Sequence, residues 1–338
     1  MIEVHAGGHI TLIFTVEKQE RLYRDQGSRG IGFSIDKGVR VRVDRRDPKS
    51  TIPSSEYSVG TAPDEPLQME KGRCTFTIRD MYGQLIDDAS MYELFTEACL
   101  DIGLIKSHES FAFEIDIECP MSQGFGMSAA GLISLGKAIQ ASTRRGTQEQ
   151  FLKIAHRIER MMSGGLGDVL GASVGGVELR LTPGAPGWPG RAISFGLEEK
   201  ILLVWNESEK RHTSKYIDDE QWMTKITTAG NQCLSHYSAR DWSEQRWDEI
   251  LLHSKQFGER SGLESEPIRR DLLNTIQSCI QQHGLSDLVE SRLCMLGNSV
   301  VLVPKTLNQS TEDWQIVLEE SVLQHGLNAM IARITPLM

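Results

Sequence analysis

Val39, Val41 and Val43 alternate with Arg40 and Arg42, the period-two pattern of a half-buried strand. The same alternation returns at Phe111, Phe113, Ile115, Ile117 and Cys119 and predicts a second strand. The opening run MIEVHAGGHITLIF has an acid and a His before a short apolar stretch and no small-residue cleavage signal after it, so it reads as a strand rather than a signal peptide. Helical spacing appears over 91–102, with Leu94, Phe95, Ala98 and Ile102 on one face, and an apolar run Ala129–Ile139 predicts another helix. Thr147 and Gln150 form a T-x-x-Q capping box that opens a helix over 148–162. Its stripe is Phe151, Ile154, Ala155, Ile158 and Met162, and it stops at Ser163-Gly164-Gly165. A short helix from Asp168, the pair Gly175-Gly176 and a strand ending in Leu181 follow. Pro48, Pro53, Pro63 and Pro66 mark 47–66 as a loop, and the Pro/Gly alternation from Pro183 to Gly190 marks another, carrying Trp188. Beyond it lie a buried strand at 201–205, a mostly helical stretch over 219–283 and a strand at Val300–Val303.

The chain has 338 residues, enough for about two domains. The pattern changes near 195, which divides it into 1–195 and 196–338. With 36 basic and 46 acidic residues the net charge is -10, so a basic nucleic-acid footprint is absent. A polyanionic ligand must then be met by local donors and a metal ion. Six scattered cysteines without a C-x-x-C pair argue against a zinc framework or a disulfide scaffold and for a reducing compartment. No stretch of ~18 apolar residues is present, so a cytoplasmic address without membrane contact is expected.

The chemistry concentrates in Gly124-Phe125-Gly126-Met127-Ser128-Ala129-Ala130, between a strand and a helix. Glycines let backbone approach a ligand, and a helix N-terminus offers N–H donors and a positive dipole end to phosphate. A Walker-A loop fails for want of a Lys before Ser128. A dinucleotide fingerprint fits Gly124, Gly126 and Ala129, yet it needs a strand after the helix, where a second helix is predicted. The plain structural reading is a glycine turn. The fuller string Pro120-x-x-x-Gly124-x-Gly126-x-Ser128-Ala129-Ala130 resembles the phosphate loop of the GHMP kinase superfamily, with Met127 standing where many members have the first of two serines. Ser128 falls on the second, whose hydroxyl contacts metal and phosphate in that family. Glu159 and Asp168, nine residues apart, match its metal-holding Glu and its base or orienting Asp. Their structural alternatives are a solvated helix-face acid and an N-cap.

The strings Gly7–Thr11, Gly27–Gly32, Gly165–Val169, Gly175–Gly184 and Met295–Ser299 are similar to the pantoate kinases of archaea, over residue 5 to about 190 and again near 293–303. That resemblance implies a two-domain α+β fold: a β-rich N-terminal domain of the ribosomal protein S5 domain 2-like type, then C-terminal helices on a small antiparallel sheet. It implies ATP with Mg²⁺ across Gly124, Gly126, Met127, Ser128 and Ala129, transfer to the 4-hydroxyl of pantoate on the route to coenzyme A, and a homodimer. A pantoate carboxylate calls for a bidentate Arg. Arg180 is the first candidate and Arg29, read in a turn between Gly27 and Gly30, the second, with surface or ion-paired arginines as the alternatives. Ser28 is a candidate donor to the substrate. His9 and Thr11 fall where the family's first motif lines its active site, with a satisfied structural histidine as the alternative for His9, and Gly297-Asn298-Ser299 stands for the third motif. The rivals are kinases of homoserine, shikimate or mevalonate, a dinucleotide-dependent oxidoreductase, and a non-catalytic nucleotide-binding protein.

Overall fold

Two sheets carry the chain. The computed structural model describes residues 1–46, 73–207, 214–294, 296–307 and 313–335. The loop expected at 47–66 and Met295 lie outside them. The first part runs β1 (Ile2–Phe14), β2 (Gly30–Arg46), β3 (Cys74–Arg79), β4 (Leu85–Ile86), α1 (Ser90–Asp101), β5 (Ser110–Ile117), α2 (Met127–Thr143), α3 (Gln148–Met161), α4 (Asp168–Ala172), β6 (Val177–Thr182) and β7 (Arg191–Phe195). The second runs β8 (Lys200–Trp205), α5 (Ser214–Ile217), α6 (Glu220–Leu234), α7 (Trp247–Ser261), α8 (Pro267–Gln282), β9 (Val289–Leu293), β10 (Ser299–Pro304), α9 (Trp314–Gln324) and β11 (Asn328–Arg333).

Strands β1–β7 form one sheet in the order β4-β3-β5-β2-β6-β7, with β1 on the free edge of β2. Strands β8–β11 form an antiparallel sheet in the order β11-β8-β10-β9. This is the two-part α+β architecture that the resemblance implies. Burial alternates along β5 as its sequence does, because only one face meets the core. The second half of β1 is buried on every residue, since α2 and α4 reach it from its own half and α6 and α7 from the other. Phe257 meets Phe14 edge-on at 5.2 Å there, and one continuous core runs through both halves.

Helix α3 begins at the expected capping box: Gln150 N–H donates to Thr147 Oγ1 and Thr147 N–H to Gln150 Oε1. Helix α1 turns a different face inward from the one its spacing suggests: Tyr92, Phe95, Thr96 and Cys99 are buried, while Ile102 lies just past the helix end, exposed. After β5 come three helices and then β6, which pairs antiparallel with β2. The β-α-β unit that a dinucleotide fingerprint needs is therefore not built around Gly124 and Gly126. Among the described residues no helix is long and apolar enough to cross a membrane.

Candidate active site

Gly124 and Gly126 take φ of +81° and +69°, the left-handed region that glycine enters without a Cβ clash. Their missing side chains face protein. A Cβ on Gly124 would stand 2.1 Å from the Cys294 carbonyl, and one on Gly126 2.8 Å from His9 N. So these glycines admit neighbouring backbone, where the sequence suggested approach to a ligand. The loop is pinned to β1 by His9 N–H donating to the Phe125 carbonyl at 3.0 Å, and Phe125 packs edge-on against Trp205 of the second half. Helix α2 then starts at Met127 behind the N-cap Gly126, with no side-chain cap and no acid in its first turn, so among the described residues its first N–H groups have no side-chain acceptor.

The other face of this loop borders a cavity of about 390 Å³, lined among others by Ser28, Ser128, Glu159, Asp168, Leu296 and Gly297. Ser128 Oγ donates to Glu159 Oε1 at 2.5 Å. Glu159 is 2 % exposed, which removes the solvated-helix-face alternative. Gly165 separates the two acids: a Cβ there would lie 2.1 Å from Asp168 Oδ2 and 3.2 Å from Glu159 Oε2. Burial, and then the charge of Asp168, push the Glu159 carboxyl well above the usual carboxylate range. Two oxygen donors on the cavity wall suit Mg²⁺, which takes one or two carboxylates and completes its shell with phosphates and water. Among the described residues no group of three or more His, Cys, Asp or Glu could hold a metal by itself.

Asp168 is the first residue of α4, behind Gly167, and makes no capping bond, so the N-cap alternative fails too. Its Oδ1 accepts from His9 Nδ1 at 2.9 Å. The other ring nitrogen of His9, Nε2, lies 2.9 Å from Glu178 Oε1. Glu178 Oε1 and Thr11 Oγ1 both accept from Arg180 Nη1, at 2.9 and 3.0 Å. Every member of this set except Asp168 is at most 1 % exposed.

The expected residues thus separate. Ser28, Gly124, Gly126, Met127, Ser128, Glu159 and Asp168 line the cavity, whereas His9, Ala129 and Arg180 lie behind its wall, fully buried. Strand β6 is flanked on both sides, so Arg180 is not on an edge strand. Among the described residues its Nε and Nη2 have no protein partner, and a Cβ on Gly167, which lines the cavity, would lie 2.8 Å from that Nε. The turn read between Gly27 and Gly30 ends where β2 opens at Gly30, with Gly30 opposite Arg180 and Gly32 opposite Glu178. Arg29 reaches the other way, its Nη1 donating to Asn231 Oδ1 of α6 at 3.3 Å. Sequence reasoning passed over Glu178 and Arg269. The signal for Glu178 was the matching two-residue spacing of Gly30-x-Gly32 and Glu178-x-Arg180. Arg269 had none: from α8 it donates to the Leu296 and Gly297 carbonyls, 27 and 28 residues away.

Comparison with known proteins gives a consistent result. Residues 89–176 match the GHMP kinases N terminal domain. A pantoate kinase of Thermococcus kodakarensis is 26% identical over 276 residues, covering 80% of this chain and 81% of that protein. A pantoate kinase of Methanocaldococcus jannaschii is 22% identical over 324 residues, covering 94% and 97%. The structure described as a phosphotransferase related to the CoA biosynthesis pathway superposes with a TM-score of 0.71 at 21% identity, covering 98% of this chain and 95% of that one. A homoserine kinase from Cytophaga hutchinsonii superposes at 0.62 and 12% identity, covering 99% and 95%.

Proposed function

We propose that this chain, a GHMP kinase by its N-terminal domain and its fold, transfers the γ-phosphoryl group of ATP to the 4-hydroxyl of pantoate. The observation that carries the reading is the meeting of Ser128, Glu159 and Asp168 on one cavity wall beside the uncapped start of α2. Phosphoryl transfer asks little covalent chemistry of a protein and much positioning. The phosphates lie across Gly124–Ser128, where the first N–H groups of α2 receive them. Ser128 Oγ and Glu159 would hold Mg²⁺, which neutralises phosphate oxygens when bound. Asp168 Oδ2 takes the proton of the attacking hydroxyl as its oxygen bonds to the γ-phosphorus and the bond from that phosphorus to the β,γ-bridging oxygen breaks, releasing ADP. Ser28 lines the acceptor end. For the carboxylate of the acceptor Arg180 is the first choice, its Nε and Nη2 being without a partner among the described residues; because they lie closed off behind Gly167, this role requires the Gly165–Gly167 turn to move aside. Arg29 is the weaker choice, since it is engaged with Asn231. A cytoplasmic homodimer belongs to the same reading.

Solved kinases of homoserine and of mevalonate share this fold, so geometry alone does not choose the alcohol. The two pantoate kinases span most of the chain and support pantoate. An ADP-release assay across pantoate, homoserine, shikimate and mevalonate tests it. Turnover with pantoate alone is expected; turnover with homoserine and none with pantoate would replace the substrate and leave the kinase.

A further inference from the structure

Behind Asp168 lies a charged cluster of His9, Glu178 and Arg180, of which phosphoryl transfer as described uses neither His9 nor Glu178. Glu178 and Arg180 leave β6 two residues apart, on the face that holds His9. The space they occupy is left by glycines. A Cβ on Gly30 would be 2.1 Å from Arg180 Nη2, one on Gly32 2.9 Å from Glu178 Oε1, and one on Gly171 2.3 Å from His9 Nε2. Burying such charges is costly unless they are paired, and this chain buries them where they end on the acid of the cavity.

We propose that Glu178 is a positioning residue of the phosphotransfer site that acts through His9: its Oε1 holds the imidazole with Nδ1–H aimed at Asp168 Oδ1, leaving Asp168 Oδ2 as the oxygen offered to the acceptor. The inference rests on the kinase reading above. Both neighbours of the ring are carboxylate oxygens, and an ionised carboxylate only accepts, so both ring nitrogens donate and the ring is an imidazolium. Without Glu178 the ring is free to put its single proton on Nε2, and Nδ1 would then turn a lone pair toward Asp168. The groups around the ring are Asp168 on α4, Glu178 and Arg180 on β6, Thr11 on β1 and, beyond Asp168, Glu159 on α3. Burial alone would pull the ring's pKa down, but the charge of Glu178 and the hydrogen bonds to Asp168 and Glu178 outweigh it and raise it to about 9. Arg180 Nη1 anchors Glu178 Oε1 from the far side.

The experiment compares Glu178→Gln, which keeps the shape and removes the charge, with wild type in ADP release, after thermal melting has shown both folded. The kcat should fall about 10–100-fold, the size expected for partners that orient a reacting group's neighbour, with KM for ATP and acceptor within about threefold. A folded Glu178→Gln enzyme with wild-type kcat would overturn the proposal. Because Glu178 acts through His9, the double variant Glu178→Gln/His9→Asn should turn over no more slowly than His9→Asn alone, and independent, multiplying losses would also overturn it. Should Glu178→Gln not fold, imidazole ¹⁵N resonances of the wild-type protein decide. Two protonated ring nitrogens at neutral pH are expected, and a neutral ring refutes the arrangement. Absence of ADP release by wild type with every alcohol would instead remove the kinase reading and this inference with it, a result distinct from an active wild type with an unaffected variant.

Discussion

His9 Nδ1 lies 2.9 Å from Asp168 Oδ1, a contact between residues 159 positions apart. It joins the middle of β1 to the start of α4 and fixes one carboxylate oxygen of Asp168 toward protein. The other oxygen lies beside Gly165, which with Asp168 lines the cavity. A group held this way is suited to orient or deprotonate a hydroxyl, and general-base assistance contributes typically 10²–10⁴-fold. Asp168→Asn should therefore lower kcat by about that range and change the Kd of ATP by less than about threefold. Stopped-time ADP release and nucleotide titration measure the two. Unchanged turnover would take Asp168 out of the reaction.

Glu159 makes a different prediction, in stability. Its folded pKa is raised above the ordinary 4.5, so between those values the folded chain binds a proton that the unfolded chain has lost. Stability then falls as pH rises from about 4.5 through the folded value. Glu159→Gln resembles the protonated acid and should match wild type near pH 5 while unfolding at higher urea than wild type near pH 8. The same variant should need roughly tenfold more Mg²⁺ for half-maximal rate, since one of two protein oxygens is no longer anionic. A gap between the wild-type and Glu159→Gln urea midpoints that is the same at both pH values would mean that Glu159 is not held protonated.

His9 works in the same direction by the opposite route. As a cation with its pKa raised from 6.5 to about 9, it stabilises the fold fully below 6.5, and this is lost as pH climbs through 9. A shift of that size corresponds to roughly 3 kcal/mol at most. His9→Asn should flatten the decline of stability between pH 6.5 and 9 in chemical denaturation, at the cost of lower stability at pH 6. A wild-type profile that stays level over this window would contradict the doubly donating ring.

The parts of this molecule that local pattern dictates were open to reading in advance. Alternation marks β2 and β5, and the Thr147–Gln150 box starts α3 where it should. Ser128, Glu159 and Asp168 could be singled out because the family pattern puts them at fixed places in the chain. What failed was orientation. Helix α1 rotates to bury Tyr92 and Cys99, since Tyr92 packs against Phe76 of β3, a long-range partner that spacing cannot supply. Gly30 reads as the end of a turn from Gly27, and nothing in the sequence explains Gly32 in the same glycine-rich string. Their cause is the bulk of Arg180 and Glu178 on the neighbouring strand, which is visible only once β2 and β6 are paired. On the sequence Arg180 is the first candidate for the substrate carboxylate, with a surface arginine as the alternative; the surface alternative fails, because Arg180 is buried against Glu178 and Thr11.

The closing face of the phosphate loop comes from the second half of the chain, and this can be tested with one methyl group. Arg269 is fully buried, paired with Glu266, and donates through Nε and Nη2 to the Gly297 and Leu296 carbonyls at 3.0 and 2.5 Å. Gly297 so held touches the phosphate loop, and a Cβ there would stand 2.1 Å from the Gln123 carbonyl and 2.8 Å from Gly124 N. Both obstacles are backbone, so the loop must move. Gly297→Ala should raise the KM for ATP about tenfold or more and destabilise the fold by about 1–3 kcal/mol, the usual range for overpacking. Gly326→Ala is the control: Gly326 has φ of +75° with nothing within 4 Å of its would-be Cβ. It should lose roughly 1 kcal/mol to backbone strain and leave KM alone. Equal effects of the two substitutions on KM would mean that the contact between the halves does not set the phosphate loop. A KM change confined to Gly297→Ala would show that nucleotide binding depends on the second half through this one carbonyl-to-glycine approach.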